Sequence, residues 1–268
     1  MTASSTPEAA LRHLLLVMAK LRDPVSGCPW DQVQDFSSIA PYTVEEAHEV
    51  AEAIRAGPDF PALLDELGDL LFQAVYHARM AEEAGRFDFA AVTRAITAKM
   101  VRRHPHVFGD AAPRGAAAQT DAWEAQKAAE RAAEAPEGGA LAGVPTALPA
   151  LSRAAKLTRR AARVGFDWPD AASVLDKLEE EASELRAELP TADPGRLRDE
   201  VGDLLFVLAN LARKLDLDPE DCLRSANTKF ERRFRGVERR LAARGLSPAD
   251  ADLAAMEAEW RAVKAAED

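Results

Sequence analysis

Residues Lys177–Leu215 read KLEEEASELRAELPTADPGRLRDEVGDLLFVLANLARKL, and this stretch decides the fold. A helix turns about 100° per residue. On that spacing Val174, Leu175, Leu178, Ala182, Leu185 and Leu189 form one apolar stripe, and Leu197, Val201, Leu204, Leu205, Leu208 and Leu215 form another. The Pro/Gly-containing segment between them predicts a turn, hence an antiparallel helical hairpin. Acids lie along the flanks of both stripes. Lys177, Glu181, Glu184 and Glu188 fill a second stripe on the first helix, with Glu180 pointing further away. On the next helix Glu200 borders the apolar face and Asp203 sits one step further out. Glu181 with Glu184, and Glu200 with Asp203, are i, i+3 neighbours, so four carboxylates converge from two rigid helices. Like charges this close repel and force protonation unless a cation intervenes. Hard divalent ions take oxygen ligands, and Mg²⁺ keeps open positions for water and phosphate. The hairpin therefore predicts a Mg²⁺ cluster. Gly202, mid-helix, costs about 1 kcal/mol relative to Ala, which points to close approach of another backbone or a ligand.

The hairpin has a counterpart upstream. VEEAHEV at Val44–Val50 echoes EEEASEL at Glu179–Leu185, DELGDLLF at Asp65–Phe72 echoes DEVGDLLF at Asp199–Phe206, and AKMVRR at Ala98–Arg103 echoes TKFERR at Thr228–Arg233. Glu45 and Glu180 lie 135 residues apart, as do Glu49 and Glu184; for Glu66 and Glu200, and for Asp69 and Asp203, the offset is 134. Lys99 and Lys229 are 130 apart, and Trp123 and Trp260 are 137 apart. A period of this length marks a domain duplication, not a solenoid. Helix-period patterns dominate both halves and almost nothing alternates as a strand would, so the chain is expected to be all-α. Pro136, Gly138, Gly139, Gly143 and Pro145 break any helix between the copies. The expected organisation is an N-terminal domain over 1–132, a linker over 133–147 and a C-terminal domain over 148–268.

Composition narrows the function classes. The chain has 268 residues, 29% of them charged and 47% hydrophobic, with a formal net charge of −11. That balance argues against general binding to nucleic acid or anionic membrane and suits sites that hold cations. Cys28 and Cys222 are the only cysteines, so no disulfide framework is expected and a reducing cytoplasm is the natural compartment. The dense apolar run LLLVMA is too short to span a bilayer. Thr6-Pro7-Glu8 before it reads as a helix start, with Thr6 as N-cap.

A lone EExxE on a helix is usually a solvated face; its repetition with ExGD at matched spacing is not. A di-iron bundle would need Glu-x-x-His pairs, and none occurs. No G-x-x-x-x-G-K-[ST] loop is present, which removes a P-loop mechanism. Downstream, Lys229 and Arg233 share a helix face at i, i+4, and basic groups beside a metal–carboxylate cluster suit a phosphate chain. The plainer reading of this pair is a basic solvated helix. Trp260 is placed either to stack on a base, tolerant of its identity, or in the core.

EExxE followed by ExxD on paired helices resembles the all-α nucleoside triphosphate pyrophosphohydrolases, and the closer resemblance is to their two-domain bacterial MazG group. GCPWD at Gly27–Asp31, RRHPHVFG at Arg102–Gly109, GVPTALPALSRAAKL at Gly143–Leu157 and AARVGFDWP at Ala161–Pro169 carry the likeness over nearly the whole chain. The resemblance implies Mg²⁺-dependent hydrolysis, with Mn²⁺ as a substitute, of canonical and altered nucleoside triphosphates to monophosphate and pyrophosphate. It also implies nucleotide-pool housecleaning and a homodimer whose hairpins pair into four-helix bundles. Carried over, Glu181, Glu184, Glu200 and Asp203 are the metal ligands and Glu180 completes EExxE. Lys177, Arg196 or Arg198, Lys229 and Arg233 contact phosphate, and Trp260 covers the base or sugar. Glu46, Glu49, Glu66 and Asp69 match the ligands in the first copy. One segment departs: where the pattern has Gln-Thr-His, this chain has Gln34-Asp35-Phe36. His104 and His106 lack a cysteine partner at zinc spacing and read as structural.

The expected chemistry is metal-assisted, in-line attack of water between the first and second phosphates, with Lys229 and Arg233 neutralising the leaving pyrophosphate. The second copy is favoured as the working site because Lys229, Arg233 and Trp260 complete it, although Lys99, Arg103 and Trp123 hold comparable places in the first. Two other readings compete: a non-catalytic nucleotide-binding helical adaptor, and a narrower enzyme for dUTP, dCTP or phosphoribosyl-ATP.

Overall fold

The computed structural model describes residues 6–57, 59–112, 115–134 and 138–267, and all regular structure among them is helical. The chain forms two compact units, Met1–Trp123 and Glu124–Asp268. Acidic N-caps start most of the helices. The side chains of Asp35, Asp59, Asp88, Asp170, Asp193, Asp218 and Asp252 each accept a backbone N–H in the first turn that follows. Such a cap is worth about 1 kcal/mol, so part of the acidic composition serves helix starts. Thr6 caps α1 as its sequence suggests, accepting from the Ala9 N–H at 3.3 Å.

In the first unit α1 (Pro7–Leu21), α2 (Pro29–Gln32), α3 (Phe36–Arg55), α4 (Phe60–Glu83), α5 (Phe89–Arg103) and α6 (Pro105–Phe108) follow in order, and α7 (Ala116–Glu134) begins. α3 and α4 form the expected hairpin, with α1 and α5 packed on α4. Met18, Ile39, Val75, Tyr76 and Met80 make the core, flanked by Leu14, Leu15, Phe72 and Phe89. The GCPWD segment is a latch onto this core. Gly27 is required by close approach: a Cβ there would lie 2.3 Å from the Leu21 carbonyl oxygen. Asp31 is then held under α4, where the buried Tyr76 hydroxyl donates to its carboxylate and its carbonyl at 3.0 Å each. Arg22 covers the Tyr76 ring at 5.5 Å and pairs with Glu83 at 2.7 Å.

In the second unit α8 (Ala150–Arg163), α9 (Ala171–Glu188), α10 (Pro194–Lys214), α11 (Pro219–Ala242) and α12 (Leu253–Ala265) repeat the plan. α9 and α10 are the hairpin, α8 packs on α10 and α11, and α12 lies on α11. α11 and α12 meet at Gly236, where an added Cβ would come within 2.9 Å of Val263. The hairpin turn combines a short 3-10 segment at Leu189–Thr191, a left-handed Ala192 (φ 52°) and Pro194 at the start of α10. Within the linker expected over 133–147, α7 extends to Glu134, residues 135–137 with Pro136 lie outside the described residues, and Gly139 and Gly143 turn with positive φ.

The stripe on α10 is not buried within its own unit: Val201, Leu205 and Leu208 remain 45–48% exposed, whereas Val207, Ala209 and Asn210, one step round the helix, face the core. α8 and α11 meet α10 from that side. Nor does any described part of the chain approach Gly202, whose missing Cβ would have nothing within 4 Å.

Candidate active site

α9 and α10 bring together three of the four acids expected as a cluster. Glu181, Glu184 and Glu200 each offer a carboxylate oxygen, and the three oxygens lie within 4.8 Å of one another. Glu181 is only 5% exposed. Its Oε1 receives the Lys177 ammonium at 2.7 Å, and its Oε2 is buried without a hydrogen-bond partner among the described residues. Glu200 Oε2 is buried and unpartnered in the same way. Burial, then the charges of Glu184, Glu181, Asp203 and Glu188, raise the Glu200 carboxyl above its ordinary pKa. Asp203 is exposed and stands at the rim, within the field of Glu200 but outside the close trio.

The basic and aromatic candidates fall into separate groups. Lys177 belongs to the cluster: it bridges Glu180 and Glu181 at 2.7 Å each, and these bonds raise its pKa. Glu180 points outward, as read from the helix wheel, and is more than half exposed. Arg196 pairs with Glu188 at 3.2 Å across the hairpin turn, and Arg198 is exposed on α10. Lys229, Arg233 and Trp260 lie on α11 and α12. Lys229 is exposed, while Arg233 pairs with Glu267 at 2.8 Å and lies 6.0 Å from the centre of the Trp260 ring. Trp260 packs on Phe230 at 5.4 Å, which stacks on Phe234 at 5.9 Å. No hydrogen bond or ion pair among the described residues joins this group to the acidic trio.

The first unit forms its own cluster from a different trio. Oxygens of Glu46, Glu66 and Asp69 lie within 4.8 Å of one another. Glu49 lies close enough to both Glu46 and Glu66 to help raise their carboxyls. Burial comes first in raising the Glu46 and Glu66 carboxyls, followed by Asp69 and Glu49 at Glu46 and by Glu49, Asp65 and Asp69 at Glu66. Three further residues, which sequence patterns did not single out, line this hairpin. Gln73 Nε2 donates to Glu46 Oε1 at 3.5 Å, and His77 Nε2 meets the Thr43 hydroxyl at 2.9 Å. Burial lowers the His77 pKa. Phe36, at the position where the family pattern has histidine, stacks on the His77 ring at 5.9 Å. The signal for Gln73 was its place one turn beyond Asp69 on α4. His104 is structural, with Nδ1 2.7 Å from the Met100 carbonyl and its ring against Trp123 at 5.0 Å, while Trp123 donates to the Arg103 carbonyl.

Both clusters present hard oxygen donors in the set that divalent cations prefer, and orphaned buried oxygens at Glu181 and Glu200 are what such an ion would satisfy. Comparison with known proteins agrees in register. The model of the MazG nucleotide pyrophosphohydrolase domain matches residues 34–108 and again 170–237, which are the two hairpins with the helix that follows each. The chain is 51% identical over 254 residues to the nucleoside triphosphate pyrophosphohydrolase of Escherichia coli K12, covering 94% of this chain and 96% of that protein. It is 39% identical over 256 residues to the nucleoside triphosphate pyrophosphohydrolase/pyrophosphatase MazG of Thermotoga maritima, covering 96% of each. A nucleoside triphosphate pyrophosphohydrolase of Mycolicibacterium smegmatis is 32% identical over 265 residues, 96% of this chain and 70% of that one. The chain belongs to the MazG nucleotide pyrophosphohydrolase family and carries the family's domain twice.

Proposed function

We propose that the second unit hydrolyses nucleoside triphosphates, ribo and deoxy, to monophosphate and pyrophosphate with Mg²⁺, or Mn²⁺ in its place. The observation that carries this reading is the trio Glu181, Glu184 and Glu200 within 4.8 Å, with Lys177 already docked on it. Those three acids hold the cation, with Asp203 reaching in from the rim. When bound, the ion neutralises the phosphate chain and acidifies a water. Lys177, Arg196 and Arg198 draw the triphosphate onto the hairpin, and each must exchange any present carboxylate partner for phosphate. Glu180, once released from Lys177, would take a proton from water as that water adds in line to the first phosphorus and the bond from that phosphorus to the bridging oxygen breaks. Lys229 and Arg233 balance the charge gathered on the departing pyrophosphate. Trp260 stacks on the base, and stacking reads a ring face without reading its edge, so the enzyme accepts several bases.

Glu46, Glu49, Glu66 and Asp69 form a second cation site in the first unit. The working form is a homodimer in the cytoplasm that cleans the nucleotide pool. The exposed apolar faces support association: Val201, Leu205 and Leu208 in one hairpin and Leu64, Leu67 and Leu71 in the other are 42–75% exposed. Exposed apolar area of this kind favours a partner surface. No described helix is long and apolar enough to cross a membrane. The test is product identification after incubation with Mg²⁺ and a panel of NTPs and dNTPs. Monophosphate with pyrophosphate sustains the proposal; diphosphate with phosphate, or no product, overturns it.

A further inference from the structure

The acidic cluster of the first unit is built differently from that of the second. Its close oxygens come from Glu46, Glu66 and Asp69, whereas the second unit uses Glu184, the counterpart of Glu49, and leaves out Asp203, the counterpart of Asp69. Gln73 lies against this cluster. Glu66, Asp69 and Gln73 follow i, i+3, i+7 along α4, one face of the helix, opposite Glu46 on α3. Gln73 is 8% exposed. Its amide nitrogen donates to Glu46 Oε1 at 3.5 Å, and its carbonyl Oε1 is buried with no hydrogen-bond partner among the described residues. A buried amide oxygen left unpaired is costly, so such groups are rare unless something satisfies them. An amide carbonyl is also a hard oxygen ligand of the kind divalent cations accept. Being neutral, it adds a donor without adding repulsion among carboxyls that already crowd. At the offset of 134 the second unit has Val207, which has no oxygen to offer.

We propose that Gln73 is a positioning residue of a divalent-cation site in the first unit. Its amide nitrogen orients Glu46, and its Oε1 completes the oxygen shell begun by Glu46, Glu66 and Asp69, directly or through one water. This rests on reading those acids as ligands, as proposed above. The test counts Mn²⁺ by electron paramagnetic resonance on the full chain carrying Glu181→Gln and Glu184→Gln, which isolates the first unit. One bound Mn²⁺ class is expected to remain. Adding Gln73→Val weakens it by roughly tenfold or more, the scale of losing a group that orients a ligand, and Gln73→Met, close in shape but without the amide, weakens it likewise. The rise in melting temperature on adding Mn²⁺ should follow the same order. Affinity unchanged within about twofold in the valine variant makes Gln73 a core amide and overturns the proposal, as does loss of all Mn²⁺ from the isolating background. If the valine variant does not fold, Gln73→Met decides: binding weakened by roughly tenfold or more sustains the site, and binding unchanged within about twofold overturns it. Turnover in the Glu181→Gln, Glu184→Gln background separately tests the catalytic reading of the second unit, so the two can fail independently.

Discussion

In the second unit a lysine sits inside the acidic cluster, bonded to both Glu180 and Glu181. In the first, the matching position at the offset of 135 is Tyr42, and the places of Arg196 and Arg198 are taken by Ala62 and Leu64. Polar neutral groups, Gln73 and the Thr43–His77 pair, line the first hairpin where the second has Val207, Leu178 and Leu211. The two hairpins thus share acids able to hold a cation and differ in what surrounds them. In the second, Lys177 places positive charge directly on the acids for an anionic phosphate chain. Carboxylate spacing thus gathers the acids in both units, whereas the side chains around them set what else can meet there.

The sharpest way to break this comparison is to remove acids from each unit in turn. Glu181→Gln with Glu184→Gln should lower turnover by at least ~100-fold, the scale of losing directed electrostatics at a reacting phosphate, with helicity by circular dichroism unchanged. Glu46→Gln with Glu49→Gln should leave turnover within about twofold. A reversal of these results would move the reaction to the first unit.

Next in size is the lysine. Lys177→Gln removes the ammonium from Glu181 and should cost about tenfold or more in kcat/KM, as a charge-assisted contact does. Steady-state kinetics on one triphosphate substrate check it. If the loss lies within about twofold, positive charge is not what separates the units.

The apolar faces give a third test. Val201→Asp with Leu205→Asp places charge on a face the unit does not bury, so each subunit should keep its fold while the proposed dimer dissociates in sedimentation equilibrium. An unchanged dimer would place the contact elsewhere.

The smallest expected effect concerns acid pH. The Glu200 pKa is raised above 4.5 in the folded state, so the stability it contributes is present below that value and is lost as pH rises through its folded-state pKa. Metal-free protein should therefore lose melting temperature from this group as pH climbs above 4.5, and Glu200→Gln should flatten that loss. His77, lowered by burial, acts with the opposite sign below 6.5, and subtracting the variant from the parent removes its contribution. Glu124, held down to about 2 by Lys127 and Arg163 against the cost of burial, titrates lower still. Mg²⁺ should abolish the difference between parent and variant.

Much of this was legible in sequence. Apolar residues at helical spacing, a Pro/Gly-containing turn and an Asp before each hairpin helix determine the helical hairpins, because each of these signals acts over a single turn of helix. The repeat determines that there are two, and the i, i+3 acids determine that carboxylates gather where the helices pair. What tertiary structure alone decided depends on distances between helices. It drew Asp69 into one trio and left Asp203 at the rim of the other. It tied Arg233 to Glu267 and seated Trp260 on Phe230. It also turned Val207 and Asn210 inward while leaving Val201 and Leu205 in solvent. A helix wheel ranks residues by angle, but which part of the wheel meets a neighbour is fixed by α8 and α11, whose placement the wheel does not contain. Gln73 shows the same limit: its place one turn beyond Asp69 is legible, but only packing against Glu46 left its carbonyl oxygen buried and unpaired.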